Sequence, residues 1–369
     1  MTIYTTLYSF ILLLTFLTWK KETHIASLWF SLASFFTFFL VATRDVTVGT
    51  DTASYVSYFL HPTLGYGGDN RKTDLGFQIW NELIHITWAD EHFFLFVNAI
   101  VALSGVFYFI KKESPFKMVS LLLFLIAGEF YTIQFAAMRQ TLAISFFLIA
   151  LHFYNKGGKS WRIALAFYCA AIFFHATVLW CLPVVLLMDR IRINKTFAYI
   201  ILGASFGIGL SGVFDYHTLV GGLFNMTDSS NSVVSRYSGY QNNMSKDTLS
   251  GHRVLWDMLP LTLVCAACIY YTWDINMKYL KYFLIGIIAN NLTVRDPIAF
   301  RLVMYLVILV VVVVPIVFMR RKRIAILMYG IIIIYFSYKT YSLLNAETVA
   351  GFEGNKIVPY KFFFIDYQK

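Results

Sequence analysis

Charge is what this sequence lacks. Only 14% of its 369 residues are Asp, Glu, Lys or Arg, while 59% are hydrophobic and the mean hydropathy is +0.65. A soluble domain carries about a quarter charged residues, so most of this chain's surface must lie in lipid. The apolar stretches are too long, and too free of strict alternation, for outer-membrane strands. The composition points to an all-α, polytopic transmembrane helical protein.

Cysteine is scarce as well. Cys169, Cys181, Cys265 and Cys268 all sit inside apolar runs. Cys265-Ala-Ala-Cys268 has no second Cys or His pair at metal spacing and reads as small residues packing between helices. An Asp-x-Asp pair and a G-x-x-x-x-G-K loop are missing, so neither a metal-held nucleotide sugar nor a phosphate-binding loop is expected. Mid-membrane charges are few, which argues against an ion-coupled transporter. The net charge of +10 is no nucleic-acid footprint, because the basic residues are scattered through short loops. Residues 1–19 have neither a basic start nor a small-residue cleavage site, so no cleaved signal is expected.

What is present is a series of apolar runs: 4–19, 25–42, 93–110, 118–131, 141–154, 161–174, 176–188, 197–214, 254–272, 279–292, 302–319 and 324–343. They predict about twelve transmembrane helices in one membrane domain over residues 1–369. Lysines and arginines follow the first, third, fifth, seventh and eleventh runs and open the tenth. All of these loops fall on one side only if 161–188 crosses twice, with His175 at the outer turn. Two long external loops result, about 43–92 and 215–253, together with an external tail containing "VPYKFFF". Long polar loops on one face place the chemistry outside.

Several arginines break the charge bias. Arg44 ends the second run, Arg139 begins the fifth in "FAAMRQTLAISF", and Arg295 and Arg301 flank "RDPIAFR". Guanidinium binds phosphate oxygens at two points and does not deprotonate. Arg139 and Arg301 also stand at helix N-termini, where free N–H groups favour an anion. Together they read as a cradle for a lipid-linked diphosphate. Snorkelling to ordinary headgroups is the bland alternative. In "VATRDVTVGTDTASY" Gly49 provides a turn, and Asp51 is a carboxylate able to cap the helix that follows, pair with an arginine or orient a sugar. His175 in "FFHATVLW" is the best-placed imidazole for a proton acceptor, against a buried histidine at a helix break.

The elements "TRDVTVGTDTASYVSYF", "TDLGFQIWNELIHI", "AAMRQTLAISFFLIAL", "AIFFHATVLWCLPVVLL" and "AFRLVMYLVILVVVVP" resemble, in that order, the EpsG-type branch of the Wzy polysaccharide polymerases. The second element often carries glutamate in that family, where Asp74 stands here. The resemblance implies an all-helical, metal-independent glycosyltransferase of the bacterial plasma membrane, needing no cofactor, with its site facing the exterior. Such enzymes join undecaprenyl-diphosphate-linked repeat units into O-antigen, capsule or exopolysaccharide, alongside a flippase and a chain-length regulator. On this reading Arg44, Arg139 and Arg301 bind the diphosphate, with Arg295 a weaker candidate. His175 or Asp51 accepts the acceptor's proton, and Tyr55, Gln140 and Tyr305 help hold sugar or phosphate. A lipid-linked oligosaccharide flippase and an O-antigen ligase are the rival readings.

Overall fold

The computed structural model describes residues 1–18, 24–61, 74–127, 129–213, 251–274, 277–294, 297–320, 322–346 and 356–365. Among them the chain is helical throughout. The only β pairing recorded there is a single antiparallel bridge, Arg44 with Phe362. The contacts divide the chain into two compact units: Met1–Leu179 with Val310–Lys369, and Trp180–Leu309.

The first unit holds α1 (Thr2–Leu17), α2 (His24–Ala42), α3 (Thr52–Leu60), α4 (Leu75–Thr87), α5 (Glu91–Glu113), α6 (Lys117–Ile126), α7 (Met138–Lys156) and α8 (Trp161–Phe174). Two further helices, α14 (Val310–Arg320) and α15 (Lys322–Ala346), return to it. The sequence of α6, "KMVSLLLFLI", is apolar on every side, and Met118 through Ile126 are all buried. A helix without a polar face belongs in the middle, and α1, α2, α14 and α15 enclose it. Its backbone ends find partners in those neighbours: the Thr15 hydroxyl lies 3.3 Å from Met118 O, and that of Thr340 lies 3.3 Å from Ile126 O.

A second layer forms where α7 lies between α5 and α8. The Ser145 hydroxyl donates to Val101 O at 2.6 Å and accepts from Gly105 N at 3.1 Å, tying α7 to α5. The start of α5 is fixed by Asp90, whose carboxylate accepts from Phe93 N at 2.8 Å. Lys111 and Lys112 sit in its last turn, matching the helix dipole.

The second unit holds α9 (Cys181–Met188), α10 (Lys195–Ser211), α11 (Gly251–Thr272), α12 (Met277–Thr293) and α13 (Pro297–Val307). Asn291 on α12 binds its neighbours on both sides. Its amide donates to Ser205 Oγ of α10 at 3.2 Å and accepts from Thr262 Oγ1 of α11 at 3.1 Å. Such side-chain bonds hold helices together where the surroundings offer no hydrophobic drive. Lys281, itself buried, donates to Met188 O and Ile191 O, satisfying carbonyls at the end of α9.

The predicted runs largely coincide with helices, with two differences. Run 118–131 is helical only to Ile126 and then turns through a 3₁₀ segment, Thr132–Phe135. Run 302–319 is interrupted at Ile308–Leu309, between α13 and α14. Among the described residues, four segments are long and apolar enough to cross a membrane: His24–Ala42, Glu91–Glu113, Val254–Thr272 and Arg301–Phe318. Thr2–Leu17, Lys117–Ile126, Ala176–Met188 and Lys195–Ser211 are apolar but shorter. Of the expected loop 43–92, residues 62–73 lie outside the described residues and the rest carries α3 and α4; of 215–253, residues 215–250 lie outside them.

Candidate active site

Three helix ends of the first unit meet at one carboxylate. Asp74 directly precedes α4, the position of a capping residue, yet its side chain makes no bond to its own helix. Instead Asp74 Oδ2 accepts from Arg139 Nη1 at 3.0 Å and lies 3.4 Å from His175 Nδ1.

Each partner is placed by a break in helical structure. Arg139 is the second residue of α7, which begins just after the 3₁₀ segment Thr132–Phe135. His175 is the first residue past α8, in extended conformation (φ −157°), and a short 3₁₀ segment follows it. Gly76 brings the third end close, because a Cβ there would stand 2.3 Å from Phe173 O. The first turn of α4 thus lies against the last turn of α8, and Asp74 reaches His175.

The three side chains remain partly open, at 25% exposure for Asp74, 26% for Arg139 and 22% for His175. Burial alone would raise the pKa of the Asp74 carboxyl. The hydrogen bond and charge of His175, with those of Arg139, outweigh it and hold the group below its ordinary value. Asp74 is therefore an anion that orients both a guanidinium and an imidazole. Arg139 Nε is buried and meets no acceptor among the described residues, so the guanidinium's hydrogen-bonding capacity is not used up there. Its carbon lies 6.0 Å from the centre of the Tyr55 ring, which in turn meets Phe77 edge-on at 5.3 Å.

Tyr55 is brought there by the "VGTDT" turn. Gly49 has φ +104°, and a Cβ on it would lie 2.0 Å from Phe135 O, so only glycine fits. The Thr52 hydroxyl lies 2.8 Å from Val48 O and 2.9 Å from Phe135 O, locking the start of α3 to the segment that precedes Arg139. Asp51 stands at the N-cap position of α3 without a capping bond from its side chain.

Arg44 has a different setting. It is 1% exposed, and Nη1 donates to Val41 O at 2.7 Å. Its guanidinium lies 5.6 Å from the Phe135 ring centre, with Tyr4, Tyr131 and Tyr360 around it. These rings interlock edge to face, Tyr131 with Phe135 at 5.4 Å and Tyr4 with Tyr360 at 5.8 Å. Burial lowers the Arg44 pKa to about 10, so the group stays charged at neutral pH.

The remaining candidates are spread more widely. Gln140 is buried beside Arg139 on α7. Arg301 and Tyr305 lie on α13 of the second unit, Arg301 exposed and Tyr305 fully buried, and Arg295 lies outside the described residues. The structure thus brings Arg139 and His175 to one carboxylate that the sequence marked only as a family position, with Tyr55 beside the Arg139 guanidinium. The signal available was an aspartate immediately before an amphipathic stretch, in a loop between apolar runs. In the second unit, Gly203-Ala-Ser205-Phe-Gly207 has G-x-S-x-G form. It lies inside α10, and Ser205 donates to Leu202 O and accepts from Asn291, which is helix packing and not a nucleophile's strand-to-helix turn.

Comparison with family models gives a match to the EpsG family over residues 27–362. No curated protein and no solved structure matches.

Proposed function

The chain belongs to the EpsG family, which marks it as a membrane protein of polysaccharide biosynthesis, and on that premise we propose that it is a Wzy-type glycan polymerase. It transfers a chain from undecaprenyl diphosphate to a hydroxyl of an incoming lipid-linked repeat unit at the outer face of the bacterial plasma membrane. The four shorter apolar helices, together with α7, α8, α12 and α15, are taken as further crossings, about twelve in all. The observation that carries the reading is the Asp74–Arg139–His175 cluster, an arginine and an imidazole fixed by one ionised carboxylate at three helix ends.

In this mechanism the bond from the anomeric carbon to the diphosphate oxygen breaks as the acceptor oxygen bonds to that carbon. Arg139 neutralises the leaving diphosphate through the donors Asp74 leaves free, helped by the N–H groups at the start of α7. His175 takes the acceptor's proton on Nε2, while Asp74 holds Nδ1–H and stabilises the imidazolium. Tyr55 supports the guanidinium face. Arg44 adds positive potential from behind Phe135. Asp51 and Gln140 are assigned to sugar and phosphate binding, with arginine supplying the charge that a metal supplies elsewhere.

The test is a gel of surface glycan from a strain lacking the gene, beside strains carrying the natural chain or Arg139→Ala. Collapse of the ladder to one repeat unit per anchor, restored by the natural chain only, is the expected result. Loss of even the single unit would move flipping or ligation ahead, and a full ladder with Arg139→Ala would remove Arg139 from the mechanism.

A further inference from the structure

The segment 356–365 lies along the turn that carries Gly49. Lys356 O accepts from Gly49 N at 2.9 Å, Lys361 O accepts from Asp45 N at 2.9 Å, and Phe363 N donates to Thr43 O at 3.2 Å. Tyr360 is the anchor. Its hydroxyl donates to Leu40 O at 2.7 Å and lies 3.3 Å from Thr43 Oγ1. Its ring meets Tyr4 at 5.8 Å and Phe135 at 6.5 Å, both edge-on. The Tyr4 hydroxyl closes the set by donating to Ile357 O at 3.0 Å.

These bonds do two jobs. They satisfy backbone groups of residues 43–49 that have no helix or sheet to join. They also complete the aromatic enclosure of Arg44, whose charge is costly to bury unless its surroundings are fixed. The turn held in this way leads to the reacting groups. Gly49 and Thr52 both press on Phe135 O, Phe135 precedes Arg139 by four residues, and α3 carries Tyr55 to the Arg139 guanidinium.

We propose that the C-terminal segment is a working part of the site and that Tyr360 is a positioning residue, setting the turn through which Tyr55 and Arg139 are aligned. This rests on the reading of Arg139 as the diphosphate-binding group. The segment belongs to the same chain as the site, so the alignment needs no partner protein.

The experiment uses the full chain in detergent, carrying Val48→Cys at a position 1% exposed. Maleimide labelling, read by mass spectrometry on the peptide carrying the new thiol and so apart from the exposed Cys169, reports the hold of the segment on the turn, and polymerisation of a lipid-linked repeat unit reports kcat and KM. With Tyr360→Ala, labelling should speed at least about tenfold. Turnover should fall by roughly ten- to a hundredfold, the cost of about an ångström of misplacement, with helical content and KM little changed. Tyr360→Phe, which keeps the ring contacts, should recover most of the turnover and give a smaller rise in labelling. Tyr360→Leu, which keeps an apolar chain but loses the hydroxyl and the ring contacts, carries the test with the outcomes of Tyr360→Ala should that variant fail to fold.

Unchanged labelling in both variants overturns the proposal, because the segment would not hold the turn. Faster labelling with full turnover overturns it too, because the turn would not serve the site. If the natural chain polymerises nothing, the polymerase function fails, while labelling still decides whether Tyr360 holds the turn.

Discussion

Arg139 and Asp74 are 65 positions apart in the chain and 3.0 Å apart at their charged ends. The same Asp74 oxygen lies 3.4 Å from His175 Nδ1, across 101 positions. One carboxylate thus orients two groups suited to opposite tasks, a permanent cation for a leaving anion and an imidazole for a proton. The pair is partly exposed, and what it adds for chemistry is fixed geometry.

Asp74→Asn should separate these tasks. The amide keeps the shape but loses the charge that fixes the imidazole tautomer and stabilises its protonated form. Turnover should fall by about a hundredfold or more, the usual contribution of an oriented base, with KM changed far less. Asp74→Glu should restore part of the rate. Steady-state kinetics with a lipid-linked repeat unit check this. Equal loss from the Asn and Glu variants would mean that packing, and not charge, is what Asp74 supplies.

The pH dependence of stability follows from the direction of the Asp74 shift. Its folded pKa lies below the ordinary 3.8, so its favourable contacts are fully present above that value. They are lost as the pH falls through the lower folded pKa. The gap in melting temperature between the natural chain and Asp74→Asn should therefore not narrow between neutral pH and the ordinary Asp range, and should close below it. Melting curves in detergent across that range measure the gap. Closure already between pH 7 and pH 5 would contradict an ionised, held carboxylate.

Much of the fold is legible because a lipid-facing helix must be apolar, and apolar runs can be counted. The breaks at Phe174-His175 and ahead of Arg139 are legible for the same reason, since polar residues interrupt the runs there. Asp74 was harder to place, because an ion pair across 65 positions leaves no periodicity. The enclosure of Arg44 by Tyr4, Tyr131, Phe135 and Tyr360 draws on parts of the chain as distant as residues 4 and 360, and each ring alone looks like any other apolar residue. Run 118–131 shows a further limit. Hydropathy continues to Tyr131, while the helix ends at Ile126 and the backbone turns to deliver Arg139.

Gly49→Ala tests the turn. A methyl group at φ +104° costs about 1–3 kcal/mol in backbone strain, and here it also meets Phe135 O at 2.0 Å. The variant should melt lower and yield a glycan ladder shortened toward single units. A full-length ladder at the natural melting temperature would show that the Phe135 segment can yield, and that alignment of Arg139 does not depend on this contact.

Arg44 offers the last contrast, because removing its charge and changing its shape should have opposite effects. The guanidinium carbon lies 5.6 Å from the Phe135 ring centre while Nη1 donates to Val41 O, a combination that a lysine's compact, strongly hydrated ammonium cannot reproduce. Arg44→Lys should therefore lose about 1–3 kcal/mol of stability. Arg44→Met fills the enclosure with an apolar chain, and replacing a buried charge in this way is often neutral or stabilising. Its melting temperature should hold or rise, while the loss of positive potential behind the site lowers turnover roughly tenfold, about 1.4 kcal/mol in the barrier. Melting and turnover measured on the same two preparations decide it. A stable Arg44→Met chain with full turnover would reduce Arg44 to a brace for the C-terminal segment. One that folds but cannot bind the lipid-linked diphosphate would place Arg44 in direct contact with the substrate.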